Sequence, residues 1–221
     1  MESLFRHLSN LSADRTTNLH FQNSGMTNKF NELEYGFFPL GDGILSDKKQ
    51  HDSKFKTMVL GNDFGTDTYL TKCINNDRRE SEKNPTINNL KKIQELNSQE
   101  TFFTNFHLGV RKDGTNTKRT NPLTKEFQHL CYDFFLKQLK TVDPETVICL
   151  GRDVKLALLN KSEAFSKWKP KYIKELYADG NFKIDISDKE LGNRTFILIP
   201  HPCDSRNFTE DHINAIRPFL S

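Results

Sequence analysis

The chain has 221 residues, of which 35% are hydrophobic and 28% charged, and it carries a formal net charge of +3. That length suits one domain with a proper core, and 18 Phe offset the low apolar content because each buried ring removes a large area from water. So small a net charge excludes naming a nucleic-acid partner from the total alone, and no apolar run approaches the roughly 18 residues that span a bilayer.

The opening stretch, "MESLFRHLSNLSADRTTNLHFQNSG", has neither a basic start nor a long apolar segment, so no secretory leader is expected and the chain is read as cytoplasmic. Residues 1–50 read as a polar N-terminal arm, with "LEYGFFPLGDGIL" as a segment docked on the domain formed by residues 51–221. "KTMVL" is then a short strand running into the turn "GNDFGTD", where glycine is expected to supply positive φ. "TINNLKKIQEL" follows helical spacing imperfectly through Ile87, Leu90 and Ile93, and "TFFTNF" is a second strand. Leu123, Phe127, Leu130, Cys131, Phe134 and Leu139 mark an amphipathic helix with Thr120-Asn121-Pro122 as its start signal.

"VDPETVICLG" delivers a third strand, followed by a short helix in "RDVKLALLN". The interval 161–193 breaks this rhythm. Its run "KWKPKYIK" interleaves Lys167, Lys169, Lys171 and Lys174 with Trp168 and Tyr172, which suits stacked bases and equally an amphipathic cover over the core. "FKIDISDKELGNRTFILI" reads as an antiparallel hairpin into the fourth strand, "NRTFILIPHP". A closing helix, "TEDHINAIRPFL", has Thr209 as N-cap and His212 at its third position. Strands alternating with helices predict an α/β fold: three layers, α/β/α, around a central, mainly parallel sheet of four strands.

Cys73, Cys131, Cys149 and Cys203 lie far apart with no CxxC pair, so neither a zinc site nor a disulfide framework is expected. The strand endings are more informative. Gly61-Asn62-Asp63, Thr104-Asn105, Gly151-Arg152 and His201-Pro202 close the four strands in turn. In a parallel sheet all four endings share one edge, where open α/β sheets hold their ligands. Taken singly, Asp63 and Asn105 are ordinary turn formers, His201 is a loop residue, and Arg152 reads as a cap or surface residue, with a phosphate contact as the alternative. Neither GxGxxG nor a P-loop follows the first strand, which disfavours a nucleotide-binding domain.

This ordered set resembles the uracil-DNA glycosylase superfamily from about Lys56 to the C-terminus. Residues 102–158 are most similar to its iron–sulfur branch, and the first turn to its classical branch. The cluster cysteines of the former are missing apart from Cys131, with Gly109 at one ligand position, so no cluster and no other cofactor is expected. Phe64 stands where a proline is usual, Cys203 replaces a serine, and Asp204-Ser205-Arg206 replaces the apolar wedge. The resemblance implies hydrolysis of the N-glycosidic bond of uracil, or a related deaminated base, flipped out of DNA. In that reading Asp63 acts at the sugar and His201 at the departing base. Asn105 pairs with the base edge, and Phe64, Tyr69 and Asn62 complete the base pocket. The basic segment "GVRKDGTNTKRTNP" supplies Arg111, Lys112, Lys118 and Arg119 to backbone phosphates, together with Arg206. DNA, single- or double-stranded, is the expected partner of a monomeric chain without membrane association. The alternative is a catalytically inactive or redirected module of the same fold that binds nucleic acid or a protein.

Overall fold

The computed structural model describes residues 4, 7, 10–11, 14–27, 55–74, 84–96, 100–112, 123–169, 171–204 and 206–220. Strands β2 (Thr57–Gly61), β3 (Thr101–Asn105), β5 (Thr146–Leu150), β6 (Lys183–Asp188) and β7 (Gly192–Ile199) form one sheet in the order β3-β2-β5-β7-β6. The first four of these in spatial order are mutually parallel, and β6 runs antiparallel to β7. The sheet therefore has five strands where four were expected. The addition is the hairpin strand, which a tight turn at Gly192 returns along the exposed edge of β7.

Every residue of β2, β3 and β5 is buried, and successive side chains enter opposite faces of the sheet. Met58, Leu60, Val147, Cys149, Phe196 and Leu198 join one apolar cluster. Val59, Ile148, Leu150, Ile197 and Ile199 join the other. Helix α4 (Lys125–Val142), helix α5 (Gly151–Leu159) and the 3₁₀ turn Glu163–Trp168 cover the first face. Helix α3 (Pro85–Leu90) and helix α7 (Glu210–Ile216) cover the second. Helix α2 (Asp67–Ile74) follows the β2 turn and helix α6 (Ile173–Ala178) precedes β6. A sheet buried on both faces between helices is the three-layer arrangement the strand–helix rhythm implied.

Local chemistry sets the element ends. The long helix α4 starts later than the Thr120-Asn121-Pro122 signal suggests: Thr124 is its N-cap, its hydroxyl accepting from the Phe127 N–H at 3.2 Å. Residues 120–122 lie outside the described residues. Helix α3 is shorter than the run "TINNLKKIQEL" implied. Past Leu90 the chain continues in three-residue turns, with Ile93 N–H bonded to Leu90 O and Leu96 N–H to Ile93 O, so Ile93 and Leu96 still bury. At Thr209 the backbone N–H donates to His212 Nδ1 at 3.2 Å, an imidazole standing in for the usual capping-box carboxylate.

Within the leading arm, helix α1 (Arg15–Asn23) is capped by Asp14 and sets Phe21 edge-on against Phe127 of α4, centroids 5.1 Å apart. Strand β1 (Met26–Thr27) pairs antiparallel with β4 (Val110–Arg111). Residues 33–45, read as a docked segment, lie outside the described residues. Trp168 is fully buried, stacked at a tilt on Phe165 and donating its indole N–H to Asn181 O at 3.2 Å. The aromatic–lysine run is thus a cover over the core at Trp168, while Tyr172 stands 68% exposed. Among the described residues no helix is long and apolar enough to cross a membrane.

Candidate active site

Chain order reverses direction around β2: the connection to β3 goes to one side and the later strands β5 and β7 lie on the other. Open α/β sheets place their crevice at the carboxyl ends of strands where such a switch occurs. A cleft of ≈ 550 Å³ lies there, and it is lined from all four parallel strand ends: Gly61 to Thr66 after β2, Asn105 of β3, Leu150, Arg152 and Asp153 after β5, and His201 and Cys203 after β7. That volume falls within the range of about 300–1,000 Å³ usual for ligand pockets.

The β2 turn is framed by its own backbone. Gly61 ends the strand in register with Asn105, and the ladder continues beyond both strands through Phe106 N–H to Gly61 O at 2.8 Å and His107 N–H to Asn62 O at 2.9 Å. Of the two glycines expected to supply positive φ, Gly65 does so, at +84°, and Gly61 does not. A Cβ on Gly65 would also press on the Tyr69 ring at 2.9 Å. Among the described residues, this fold of the loop brings three donors to Asp63: the Gly65 N–H to Oδ1 at 3.0 Å, the Asn62 amide to Oδ2 at 2.9 Å, and Arg111 Nε to Oδ1 at 3.3 Å. Its side chain is 8% exposed. Such a carboxylate is fixed in direction by its donors.

His201 enters the cleft from the end of β7. Its Nδ1 accepts the Cys203 N–H at 3.2 Å, so in the neutral ring the proton sits on Nε2. Burial lowers its pKa below the ordinary 6.5, against the opposing pull of Asp63, Asp153 and Asp204. The imidazole is therefore neutral at physiological pH and carries its N–H donor on the ring nitrogen away from the backbone. Gly151, at φ +82°, allows this approach, since a Cβ there would stand 2.8 Å from His201 Cβ. Helix α3 buttresses the same loop: Asn89 donates to Pro202 O at 2.6 Å. At the start of α3, Asn84 donates to the Tyr69 hydroxyl, and Asn84 and Thr86 line the cleft.

Asp63, His201, Asn105, Phe64, Asn62 and Tyr69 thus all line one cleft, as their positions at strand ends implied. Asn105 is 3% exposed and Phe64 1%, so each presents a limited face to it. The Asn62 amide is engaged at both ends, with Asp63 and with His107, which makes it part of the frame around the carboxylate. Arg111, grouped in sequence with the basic loop, instead lines the cleft as the ion-pair partner of Asp63. Lys112 and Arg206 are exposed, the latter beside Asp204 at 3.6 Å, while Lys118 and Arg119 lie outside the described residues. Arg152, read as a cap or surface residue, lines the cleft with Asp153, as do Asn84 and Thr86. The last three had no signal beyond their place just after a strand or at a helix start. Comparison with protein-family models and with curated proteins gives no match.

Proposed function

We propose that this chain is a DNA glycosylase that hydrolyses the N-glycosidic bond of uracil, or a related deaminated base, turned out of the DNA stack. The observation that carries the reading is the meeting in one cleft of a held carboxylate, a buried amide and a neutral imidazole with its proton on Nε2. The order of these groups along the chain supports the same likeness to the uracil-DNA glycosylase superfamily.

Breaking the bond between the sugar C1′ and the base N1 leaves positive charge on the sugar and negative charge on the base; water then adds its oxygen to C1′, and the proton it releases neutralises the base anion. A carboxylate about 4 Å from the sugar cation, at an effective dielectric of about 20, is worth about 4 kcal/mol, on the order of 10³ in rate. Asp63 supplies it. The His201 Nε2–H donates to the base O2 as charge develops there, a contribution of about 10²–10³ for one well-placed donor. Asn105 offers an acceptor to N3–H and a donor to O4, and cytosine, with the reverse pattern, would leave both unpaired. Phe64 and Tyr69 are the rings nearest the flipped base in this reading, and the exposed cations Lys112 and Arg206 meet phosphate.

The test is alkali-induced cleavage of a labelled single-stranded oligonucleotide carrying one deoxyuridine, with a thymine control. Wild type should release the base and Asp63→Ala, Asn105→Ala and His201→Ala should each lose most of that activity. One observation favours a second reading: the Arg111 guanidinium on Asp63 Oδ1 offsets negative charge where the sugar cation would form. A binding module of the same fold would hold the oligonucleotide in a salt-sensitive manner and release nothing.

A further inference from the structure

Outside the groups assigned above, one buried histidine borders the site. His107 follows β3, is 3% exposed, and lines a second, smaller cavity of ≈ 260 Å³ that shares Asp153 with the cleft. We propose that His107 is a positioning residue that orients the Asp63 carboxylate through the side chain of Asn62. The proposal rests on the glycosylase reading for its catalytic consequence.

The chemistry of the chain of bonds fixes its direction. Asp63 as a carboxylate only accepts, so the Asn62 atom at 2.9 Å from Oδ2 must be the Nδ2 donor. The other end of the amide is then Oδ1, which only accepts, and it lies 3.1 Å from His107 Nδ1. His107 must therefore carry a proton on Nδ1. Every donor points the same way, from imidazole to amide to carboxylate. The His107 backbone N–H adds a second bond to Asn62, at the carbonyl, and the Phe106 ring packs edge-on at 5.0 Å to hold the imidazole plane. With Arg111 on Oδ1 and the Asn62 amide on Oδ2, the carboxylate is held from both sides, one by charge and one by this relay. Without the imidazole, the amide oxygen loses the Nδ1–H donor that fixes the direction in which its nitrogen meets Oδ2.

Two measurements test this on the 221-residue chain. In ¹⁵N-histidine NMR of the unliganded protein, His107 should show a proton coupled to Nδ1, and a ring protonated only on Nε2 would overturn the relay. In single-turnover release from the deoxyuridine oligonucleotide, His107→Leu should slow the reaction about 10- to 100-fold, as misplacement of a reacting group does, with oligonucleotide Kd within about threefold of wild type. His107→Asn, whose amide places a donor near the Nδ1 position, should recover most of the rate. Wild-type rate in His107→Leu, or equal loss in the Asn variant and the Leu variant at matched thermal stability, would overturn the proposal. No release by wild type, with the Nδ1 proton present, would refute the glycosylase reading and its catalytic consequence while leaving the orienting chain itself supported.

Discussion

Replacing Gly151 by alanine probes the cleft at the point where two of its walls touch. The backbone there has φ +82°, and a Cβ would lie 2.8 Å from His201 Cβ. Left-handed backbone costs a non-glycine residue about 1–2 kcal/mol, and forcing an extra carbon into a packed contact costs a further 1–3 kcal/mol or so. The contact is with a Cβ rather than a flexible side-chain tip, so the His201 loop has to move: the two carbons must part by about 0.6 Å to reach the 3.4 Å at which ordinary contact begins. On the proposed glycosylase reading, a shift of that size in the His201 donor predicts a roughly 10-fold or greater fall in single-turnover base release. The combined strain, about 2–5 kcal/mol, predicts a Tm lower by roughly 4–20 °C for a chain of this size. Gly180→Ala is the control: its φ is +68°, but nothing lies within 4 Å of a Cβ there. It should lose about 1–2 kcal/mol and keep full activity. Equal activity in the two variants would refute the claim that Gly151 exists to admit His201.

The half-buried His201 makes stability fall on the acid side. Its folded pKa lies below 6.5, the unfolded ring takes up protons first, and its contribution, present above 6.5, is lost as pH drops through the folded value. Urea unfolding at pH 8 and pH 5.5 should show this, with a smaller difference in His201→Gln, and activity should decline over the same acid range. Trp168→Ala should cost about 3–5 kcal/mol in urea unfolding by emptying a buried site. The native indole emission should be blue-shifted and unchanged by added oligonucleotide, whereas quenching on binding would show that the ring meets a base. Asn89→Leu removes the donor to Pro202 O and should reduce base release more than it reduces oligonucleotide affinity, as read from single-turnover rates and titrations.

The sheet and its layers were legible because they depend on local patterns. Apolar runs such as "TVICL" and "FILI", each preceded or followed by a helical period, specify buried parallel strands whatever lies beside them. The site's outline followed from the same logic, since parallel strands put Asp63, Asn105 and His201 on one edge. The hairpin was visible too, although its strand had to be seen in place to count as the fifth of the sheet.

What the tertiary structure alone decided is which partner each polar group takes. Arg111 reaches Asp63 across 48 residues and His107 reaches Asn62 across 45, contacts that exist because β3 and its loop fold beside β2 rather than elsewhere in the sheet. From sequence, Arg111 sits in a basic run and His107 between two apolar residues, and neither setting tells which loop will lie over it. Trp168 and Tyr172, four residues apart in one run, part company for the same reason: one side faces Phe165 and the sheet, the other faces water. Periodicity encodes the face a residue presents, through backbone geometry that every chain shares. Pairing across loops depends on strand order, and strand order is settled only when whole layers compete to bury their apolar faces.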